Sequence, residues 1–421
     1  MKSSFLPPSN KNSFQNVILL LVGSVPISIG VLNPLAEITL TAALLLSIVF
    51  LALNWQATTN NLQSVNKTVL TLFALYFGIG ALTYFTHGST DLTVTRIGST
   101  LHFVLIIPIF IALTNCTINK KWLYYSIICG AILNGGVALY QTLELGTRAD
   151  GTINAVIFGG ISMLLGFMSL ASWRQFSKVN YGFIWPILGF LSGVTASLLS
   201  LSRGSWIIAP ALIICTIVYV YYNITNKHRL LLALTAGLIF AFLIMLWWLW
   251  PYLQPRINTA MEQWTQYFSG GDYKTSIGYR LEIWKAALLV TQDSPLLGAG
   301  MGGRQQAFAD LLANDRIRDI SYLYHVHNQI LQDGADKGLL GIASYFALMG
   351  YLIRHFFKGV KQKLENSDIH FVGLLLAAGY LFLGITNVTF NHGVFNTFFV
   401  SMIVLVFCLT ENEKQKLKTS K

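Results

Sequence analysis

Charged residues are scarce in this sequence: Asp, Glu, Lys and Arg make up only 11% of its 421 positions. Soluble domains carry about 25% charged residues, so the scarcity excludes an ordinary soluble enzyme. It also excludes a disordered chain, because disordered segments are polar and rich in charge. The apolar runs are continuous and about 17–22 residues long, the length that crosses a ~30 Å hydrocarbon core as a helix. An outer-membrane barrel would instead show short alternating segments. The composition therefore predicts an all-α, polytopic bundle of membrane helices.

Cysteine is also sparse, and its four positions have no spacing typical of a disulfide framework or a metal site: Cys116, Cys129, Cys215 and Cys408. No Walker-type phosphate loop, no G-x-S-x-G and no H-E-x-x-H occurs. No paired aspartates suited to a divalent metal lie on a predicted outer loop. These absences favour chemistry without ATP, cofactor or metal, or else transport. No cleavable signal is evident before the first apolar run.

Twelve segments are predicted to span a membrane, which puts both termini on the same side. Their approximate bounds are 15–33, 35–53, 68–86, 99–114, 122–141, 153–171, 181–199, 205–222, 229–250, 338–356, 370–387 and 393–409. The short loops on the side opposite the termini hold only Arg96, Arg148 and Arg203. Because cytoplasmic loops are enriched in Lys and Arg, the termini are predicted to be cytoplasmic. This asymmetry accounts for most of the net charge of +11 without a nucleic-acid partner.

One long hydrophilic insertion interrupts the predicted bundle on its outer face. The three predicted units are 1–250 with nine spans, 251–337 as an outer loop domain, and 338–421 with three spans and a cytoplasmic tail. Loops of this length are usually functional. Three elements are predicted within it: an amphipathic helix over 280–290, a flexible turn over 295–303 and a short helix over 305–313. Six aromatic residues suit a segment at the membrane interface: Trp264, Tyr267, Phe268, Trp284, Tyr322 and Tyr324.

Arg203 lies in a short polar segment between two apolar runs. An arginine at or near membrane depth is costly and indicates function, whereas a side chain that snorkels to the interface is the alternative. Ser202, Gly204 and Ser205 allow a ligand to approach closely. A guanidinium with five donors suits a phosphate or a diphosphate.

Arg280 opens the predicted loop helix after Gly278 and Tyr279. One interpretation makes it a functional residue. The other makes it part of a solvated helix face, with Glu282 and Lys285 as its surface partners.

The segment from Tyr324 to Gly341 is the richest in side chains that carry chemistry. His325 and His327 are spaced for metal ligands on a strand, but no third ligand accompanies them. One of them is alternatively a general base, because the pKa of histidine lies near neutrality, or both are structural. His392, in the last predicted outer turn, is a further candidate for the same cavity.

Three short motifs, taken in order, resemble the O-antigen ligase and polymerase superfamily of bacterial membrane glycosyltransferases. Ser202-Arg203-Gly204 with Trp206 is similar to the family's arginine at a span junction. Tyr279-Arg280-Leu-Glu-Ile-Trp284 is similar to its second arginine, at a helix start in the large periplasmic loop. His327-Asn328, nine residues and then Gly338-Leu-Leu-Gly341 resembles the ligase signature: a histidine, an amide or serine, nine residues and Gly-x-x-Gly. The specific part of the resemblance covers residues 200–341.

The resemblance implies a GT-C-like bundle in the bacterial inner membrane with a periplasmic active site. The implied donor is a glycan on undecaprenyl diphosphate, and the implied ligase acceptor is a sugar hydroxyl of lipid A–core in lipopolysaccharide. The implied reaction is an inverting displacement without metal or cofactor, with His327 as the base and Arg203 and Arg280 as stabilisers of charge. The implied substrate-binding residues are His325, Asn328, Ser202 and Tyr279.

Three alternatives stay open at this stage. The polymerase branch extends a second lipid-linked glycan, and another branch modifies Ser or Thr of pilin-like proteins. The alternative from another class is a twelve-helix transporter. Against a transporter, the sequence shows no two similar six-span halves, and carboxylates within the spans are nearly absent apart from Glu37.

Overall fold

The computed structural model describes residues 8–87, 91–114, 116, 119–223, 250, 254–255, 257–320, 325–364 and 366–419. Within these residues the chain is built from α-helices, with two short 3-10 turns and no strand. The prediction of an all-α bundle is confirmed.

Eighteen helices are numbered here in chain order. They are α1 Pro8–Ser28, α2 Asn33–Leu53, α3 Trp55–Ser64, α4 Lys67–His87, α5 Asp91–Thr100, α6 His102–Leu113, α7 Lys120–Leu143, α8 Ala155–Ser169, α9 Trp173–Phe176, α10 Ile184–Leu199, α11 Arg203–Trp206, α12 Ala209–Asn223, α13 257–268, α14 Ser276–Asp293, α15 Arg304–Ala313, α16 Gln329–Lys361, α17 Ser367–Thr386 and α18 Gly393–Thr419.

Among the described residues, nine segments are long and apolar enough to cross a membrane, and Ser13–Ser28 and Ile184–Leu199 are shorter apolar helices. Together they match eleven of the twelve predicted spans. The remaining predicted span, 229–250, lies outside the described residues except for its last position. The chain is therefore a multi-pass membrane protein.

The centre of the bundle is formed by α8, α17 and α18, whose side chains are almost all buried. Small residues let neighbouring helices approach closely, as is usual in membrane bundles. A Cβ on Gly193 of α10 would lie 2.7 Å from the Cα of Gly166. A Cβ on Gly135 of α7 would lie 2.8 Å from the Cβ of Ser192. Glycine is therefore required where α10 crosses its neighbours.

The predicted loop helices are confirmed as α14 and α15, and the predicted turn between them has positive φ at Gly298 and Gly300. Their apolar faces form a second core with the segment that follows. Its buried members are Ile283, Ala286, Ala287, Val290, Phe308, Leu311, Ile317, Ile320, Val326 and Ala335. Helix α14 packs on α16, so this core is joined to the bundle. We call the end of the bundle that carries it the loop end.

The surroundings of Glu282 decide against one of the two interpretations of α14, in which Glu282 lies on a solvated face. Glu282 is not a surface partner, since it is 1% exposed and its carboxylate accepts hydrogen bonds from the Tyr267 hydroxyl at 2.7 Å and the Arg318 amide at 2.8 Å. Trp284 is half-buried against the loop core, and its indole N–H donates to the Val326 carbonyl at 2.9 Å; its predicted place at the membrane interface stays a prediction. Tyr322 and Tyr324 lie outside the described residues.

Candidate active site at the loop end

Arg203 is held at the end of α10 by a tight chain reversal. Leu201 adopts a φ of 50°, after which α11 begins at Arg203. Two flanking side chains fix the turn: the Ser205 hydroxyl donates to the Val156 carbonyl at 3.0 Å, and the Trp206 indole donates to the Ser197 carbonyl at 3.1 Å. Arg203 itself is exposed. Ser205 and Trp206 therefore fix the turn, and the Arg203 side chain remains at the surface.

Ser202 lies beneath this turn and is 3% exposed. Its amide donates to the Ser200 hydroxyl at 3.2 Å. Its own Oγ has no hydrogen-bond partner in the described part of the chain. A buried hydroxyl without a partner is unusual, which suits the predicted role of Ser202 in binding substrate.

Arg280 is placed by the capped start of α14. Thr275 is the N-cap, and its Oγ1 accepts from the Gly278 amide at 3.0 Å. A Cβ on Gly278 would lie 2.3 Å from the Tyr273 carbonyl oxygen, so only glycine fits before Tyr279 and Arg280. The Arg280 side chain is exposed, but partial desolvation lowers the pKa of its guanidinium, and the positive charge of Arg203 lowers it further. The two predicted arginines are thus electrostatic neighbours, although α10 and α14 are far apart in sequence.

His327 adopts a φ of 55°, a left-handed conformation that is rare for a residue with a side chain. The residues on both sides are anchored. Buried Val326 accepts a hydrogen bond from Trp284 and donates to Gln332 Oε1 at 3.1 Å. Asn328 is the N-cap of α16. Strained backbone held in this way clusters at functional sites.

The His327 imidazole is half-buried beside Arg280. Burial lowers its pKa below the ordinary value, and the charge of Arg280 lowers it further. Near neutral pH the ring is therefore neutral and able to accept a proton. Electrostatic interaction thus links Arg203 with Arg280 and Arg280 with His327, and we treat the three as one group.

Two further histidines extend this group. The rings of His325 and His392 lie 5.0 Å apart between centroids. Burial lowers the pKa of His392, and the nearby His327 lowers it further. The pKa of His325 is lowered to about 3, first by burial and then by the charges of His392 and Arg304. His325 Nδ1 is buried with no hydrogen-bond partner among the residues described.

Asn328 and Tyr279 make contacts within the protein. Asn328 Oδ1 accepts from the amides of Ile330 and Leu331 at 3.0 and 3.1 Å, and its Nδ2 donates to the Ile385 carbonyl at 3.1 Å. The Tyr279 ring is half-buried against the loop core, 5.9 Å from the Tyr273 ring. These contacts hold the starts of α16 and α14, and direct binding of substrate by either residue stays a prediction.

A buried ion-pair group behind the histidines was not predicted. Asp336 is fully buried, and its carboxylate lies 3.4 Å from Arg304 Nη1 and 3.9 Å from Arg96 Nη1. Arg304 is 1% exposed, and burial lowers its pKa to about 10. Arg96 also donates to the Met301 carbonyl at 2.9 Å. The sequence signal that could have indicated this group is the pair of acidic residues just before the apolar run of α16, Asp333 and Asp336.

A second buried group lies one turn away on α16. Lys337 Nζ is 2.8 Å from Asp333 Oδ1 and 3.6 Å from the centroid of the Tyr76 ring. The Asp333 carboxylate also accepts hydrogen bonds from the Tyr76 hydroxyl at 3.0 Å and from Gln329 Nε2 at 2.9 Å. Every charge in this group is paired, so it fixes α16 and adds no net charge to the site.

The Gly-x-x-Gly part of the ligase-like motif has a packing explanation. Gly338 has a φ of 63°, and a Cβ there would lie 2.4 Å from the carbonyl of Leu296. A Cβ on Gly341 would lie 2.4 Å from the Cβ of Lys337. The amide of Leu339 donates to the Pro295 carbonyl at 2.7 Å. The turn before α15 therefore docks against the break in α16 at Gly338, and Gly341 makes room for Lys337 and the buried start of α16.

The site carries an excess of positive charge. Four arginines surround it, Arg96, Arg203, Arg280 and Arg304, whereas Asp336 is the carboxylate that pairs among them. Such a cluster suits a multiply charged anion such as a diphosphate. Among the described residues no group of three His, Cys, Asp or Glu is arranged to hold a metal ion.

Comparisons with known proteins give a consistent relationship. Residues 188–346, which contain all three motifs, match the family described as O-Antigen ligase. The chain is 24% identical over 320 residues to an uncharacterized protein of Haemophilus influenzae, covering 74% of this chain and 79% of that protein. It is 24% identical over 318 residues to a protein of Escherichia coli strain K12 named O-antigen ligase, and the match covers 72% of this chain and 70% of that protein. These matches support a relationship to the O-antigen ligase superfamily, and that family suggests an enzyme of glycosyltransferase type.

Proposed function

We propose that the protein is an O-antigen ligase that transfers a glycan from undecaprenyl diphosphate to a sugar hydroxyl of lipid A–core. The observation that carries the proposal is that a neutral histidine, His327, interacts with Arg280, and Arg280 with Arg203, at the loop end. Neither arginine forms an ion pair with a carboxylate among the residues that the structure describes. The relative named O-antigen ligase supports the choice of reaction.

The reaction is a single displacement at the anomeric carbon of the donor sugar. The acceptor hydroxyl forms a new C–O bond at that carbon and gives its proton to His327. The bond from the anomeric carbon to the phosphate oxygen breaks, and its electron pair leaves with the diphosphate. Arg203 and Arg280 stabilise the negative charge that develops on the leaving group. Attack on the face opposite the diphosphate inverts the anomeric configuration.

Binding of the donor would also change the pKa of the proposed base, His327. In the free protein the charge of Arg280 lowers the pKa of His327. A diphosphate bound to Arg280 offsets that charge and raises the pKa of the histidine. The base therefore becomes stronger once the donor is in place.

The proposed orientation follows from the loop charges. Outside the long insertion, the short loops at the loop end hold Arg96, Arg148 and Arg203 as their basic residues, whereas Lys67, Lys120 and Lys121 lie at the opposite ends of their helices. Since basic loops stay cytoplasmic, we place the termini in the cytoplasm, the loop end in the periplasm and the protein in the inner membrane.

The test is a transfer assay with purified protein in lipid nanodiscs, undecaprenyl-diphosphate-linked O-antigen as donor, chelator present and ATP absent. Rough lipopolysaccharide, a second lipid-linked glycan and a pilin-like protein are supplied as separate acceptors. We expect a ladder of capped lipopolysaccharide and release of undecaprenyl diphosphate. Longer lipid-linked glycans would support the polymerase instead. Donor that crosses the bilayer chemically unchanged would support a transporter and contradict the proposal.

A further inference from the structure

An exposed apolar stripe runs along α13, the first helix of the insertion. Its members are Ile257, Met261, Trp264 and Phe268, which are 48%, 64%, 50% and 64% exposed. Steps of four, three and four residues place them within about 60° of one another around a helix of 3.6 residues per turn. The Trp264 and Phe268 rings lie 4.9 Å apart between centroids. The stripe carries no charged side chain.

A different sector of α13 anchors the helix to the loop core. Gln263 Oε1 accepts from the Ile277 amide at 3.3 Å, and the Tyr267 hydroxyl donates to buried Glu282 at 2.7 Å. The Arg318 guanidinium lies 5.3 Å from the centroid of the Tyr267 ring. The helix cannot turn the stripe inward without breaking these contacts. The exposure of the stripe is therefore fixed by the fold.

The third sector is polar. Asn258, Glu262 and Thr259 are exposed, and they lie about 90°, 130° and 170° around the helix from the centre of the stripe. A helix with one apolar sector, one polar sector and aromatic residues at the apolar edge is typical of a segment that lies in the plane of a membrane surface.

The chain path brings this helix to the bilayer. Trp250, the last residue of the predicted ninth span, is 51% exposed and lies seven positions before Ile257. Seven residues span at most about 25 Å when fully extended. The stripe therefore begins within that distance of the end of the predicted ninth span, where a membrane surface is expected.

We propose that α13 rests on the outer surface of the same membrane, with Ile257, Met261, Trp264 and Phe268 inserted among the lipids. The helix anchors the loop core, and with it Arg280, at a fixed height above the bilayer. This inference goes beyond the proposed transfer reaction and is independent of it.

The test uses spin labels on single cysteines of the full-length protein in lipid nanodiscs. The native cysteines are first replaced; three are buried and Cys129 is exposed. Labels at Met261 and Phe268 probe the stripe, and labels at Thr259 and Glu262 on the polar sector of the same helix are the matched controls. Collision with oxygen, which concentrates in lipid, is compared with collision with a water-soluble nickel chelate.

We expect the ratio of oxygen to nickel accessibility to be severalfold higher at the two stripe positions than at the two control positions. Equal nickel accessibility at all four positions would overturn the proposal. Protection of the stripe from both reagents would also overturn it, because it would indicate contact with protein, such as a second copy. An unchanged thermal midpoint of each labelled variant verifies that the loop core is intact.

Discussion

At the scale of single residues, the site depends on a histidine whose basicity is controlled by its neighbours. Burial and Arg280 both disfavour the protonated imidazole of His327. The free protein thus keeps the base unprotonated, while an anionic donor restores its strength. The same arginine serves two purposes, since it also faces the proposed leaving group.

The first prediction concerns pH. Since His327 must be neutral to accept a proton and its pKa is lowered from 6.5, kcat/KM should fall only when the pH drops below that ordinary value. The acid limb of kcat should lie at higher pH than that of kcat/KM, because the donor offsets Arg280. Initial rates across the acid range measure both limbs.

A second measurement separates the two causes that lower the pKa of His327, burial and the charge of Arg280. Arg280→Gln should raise the pKa of His327, read by NMR of labelled histidine, while burial keeps it below the ordinary value. An unchanged pKa would contradict the electrostatic contact on which this account depends.

The second prediction concerns the buried pair behind the site. Asp336→Asn leaves Arg304 charged and buried without its carboxylate, and removing one partner of such a pair typically destabilises by about 3–5 kcal/mol. Thermal unfolding in nanodiscs should show a clear fall in midpoint. Asp293→Asn is the matched control, because its pair with Arg316 is solvent-exposed and should contribute little. Replacing both partners, Arg304→Met with Asp336→Leu, should recover part of the loss.

At the scale of elements, α16 connects the site to the bundle. Its first nine residues are mostly buried and carry Asp333, Asp336 and Lys337, and the helix breaks at Gly338 before its apolar part. The turn at Leu296 fits into that break. The position of His327 therefore depends on how α16 begins and on where it breaks.

A glycine pair on α16 gives the third prediction. Gly338→Ala meets the Leu296 backbone and adopts an unfavourable positive φ, so it should lower both the thermal midpoint and the rate of transfer. Gly350→Ala, on the same helix, meets nothing within 4 Å. It should be neutral or stabilising by up to about 1 kcal/mol. Equal effects of the two variants would argue against the packed break.

The fourth prediction separates capping from substrate binding at Asn328. The resemblance allows an amide or a serine here, and Asn and Ser are both good N-cap residues. Asn328→Ser should keep the thermal midpoint and most activity, whereas Asn328→Ala should lose about 1 kcal/mol of stability. If both variants are equally stable but equally inactive, Asn328 binds substrate directly.

At the scale of the whole molecule, the spans and the loop helices could be predicted because hydropathy and helical periodicity are local signals. The buried start of α16 could not be predicted in this way, because each polar residue from Gln329 to Lys337, taken singly, is unfavourable in a buried helix. They are buried because Asp333 pairs with Lys337 and Asp336 with Arg304. Such pairs, like the meeting of Arg203 with Arg280, join residues whose proximity only the fold establishes.

The measurement that tests the central claim most directly compares transfer by His327→Ala and Arg280→Ala with transfer by wild type in one assay. Arg316→Ala is the control for an arginine on the loop surface, and His355→Ala is the control for a histidine away from the site. We predict that His327→Ala slows transfer by about 100- to 10,000-fold, the usual contribution of a general base. Arg280→Ala should abolish transfer, and both controls should match wild type, with all four variants folded. Near-normal transfer by His327→Ala and Arg280→Ala would contradict the proposed mechanism.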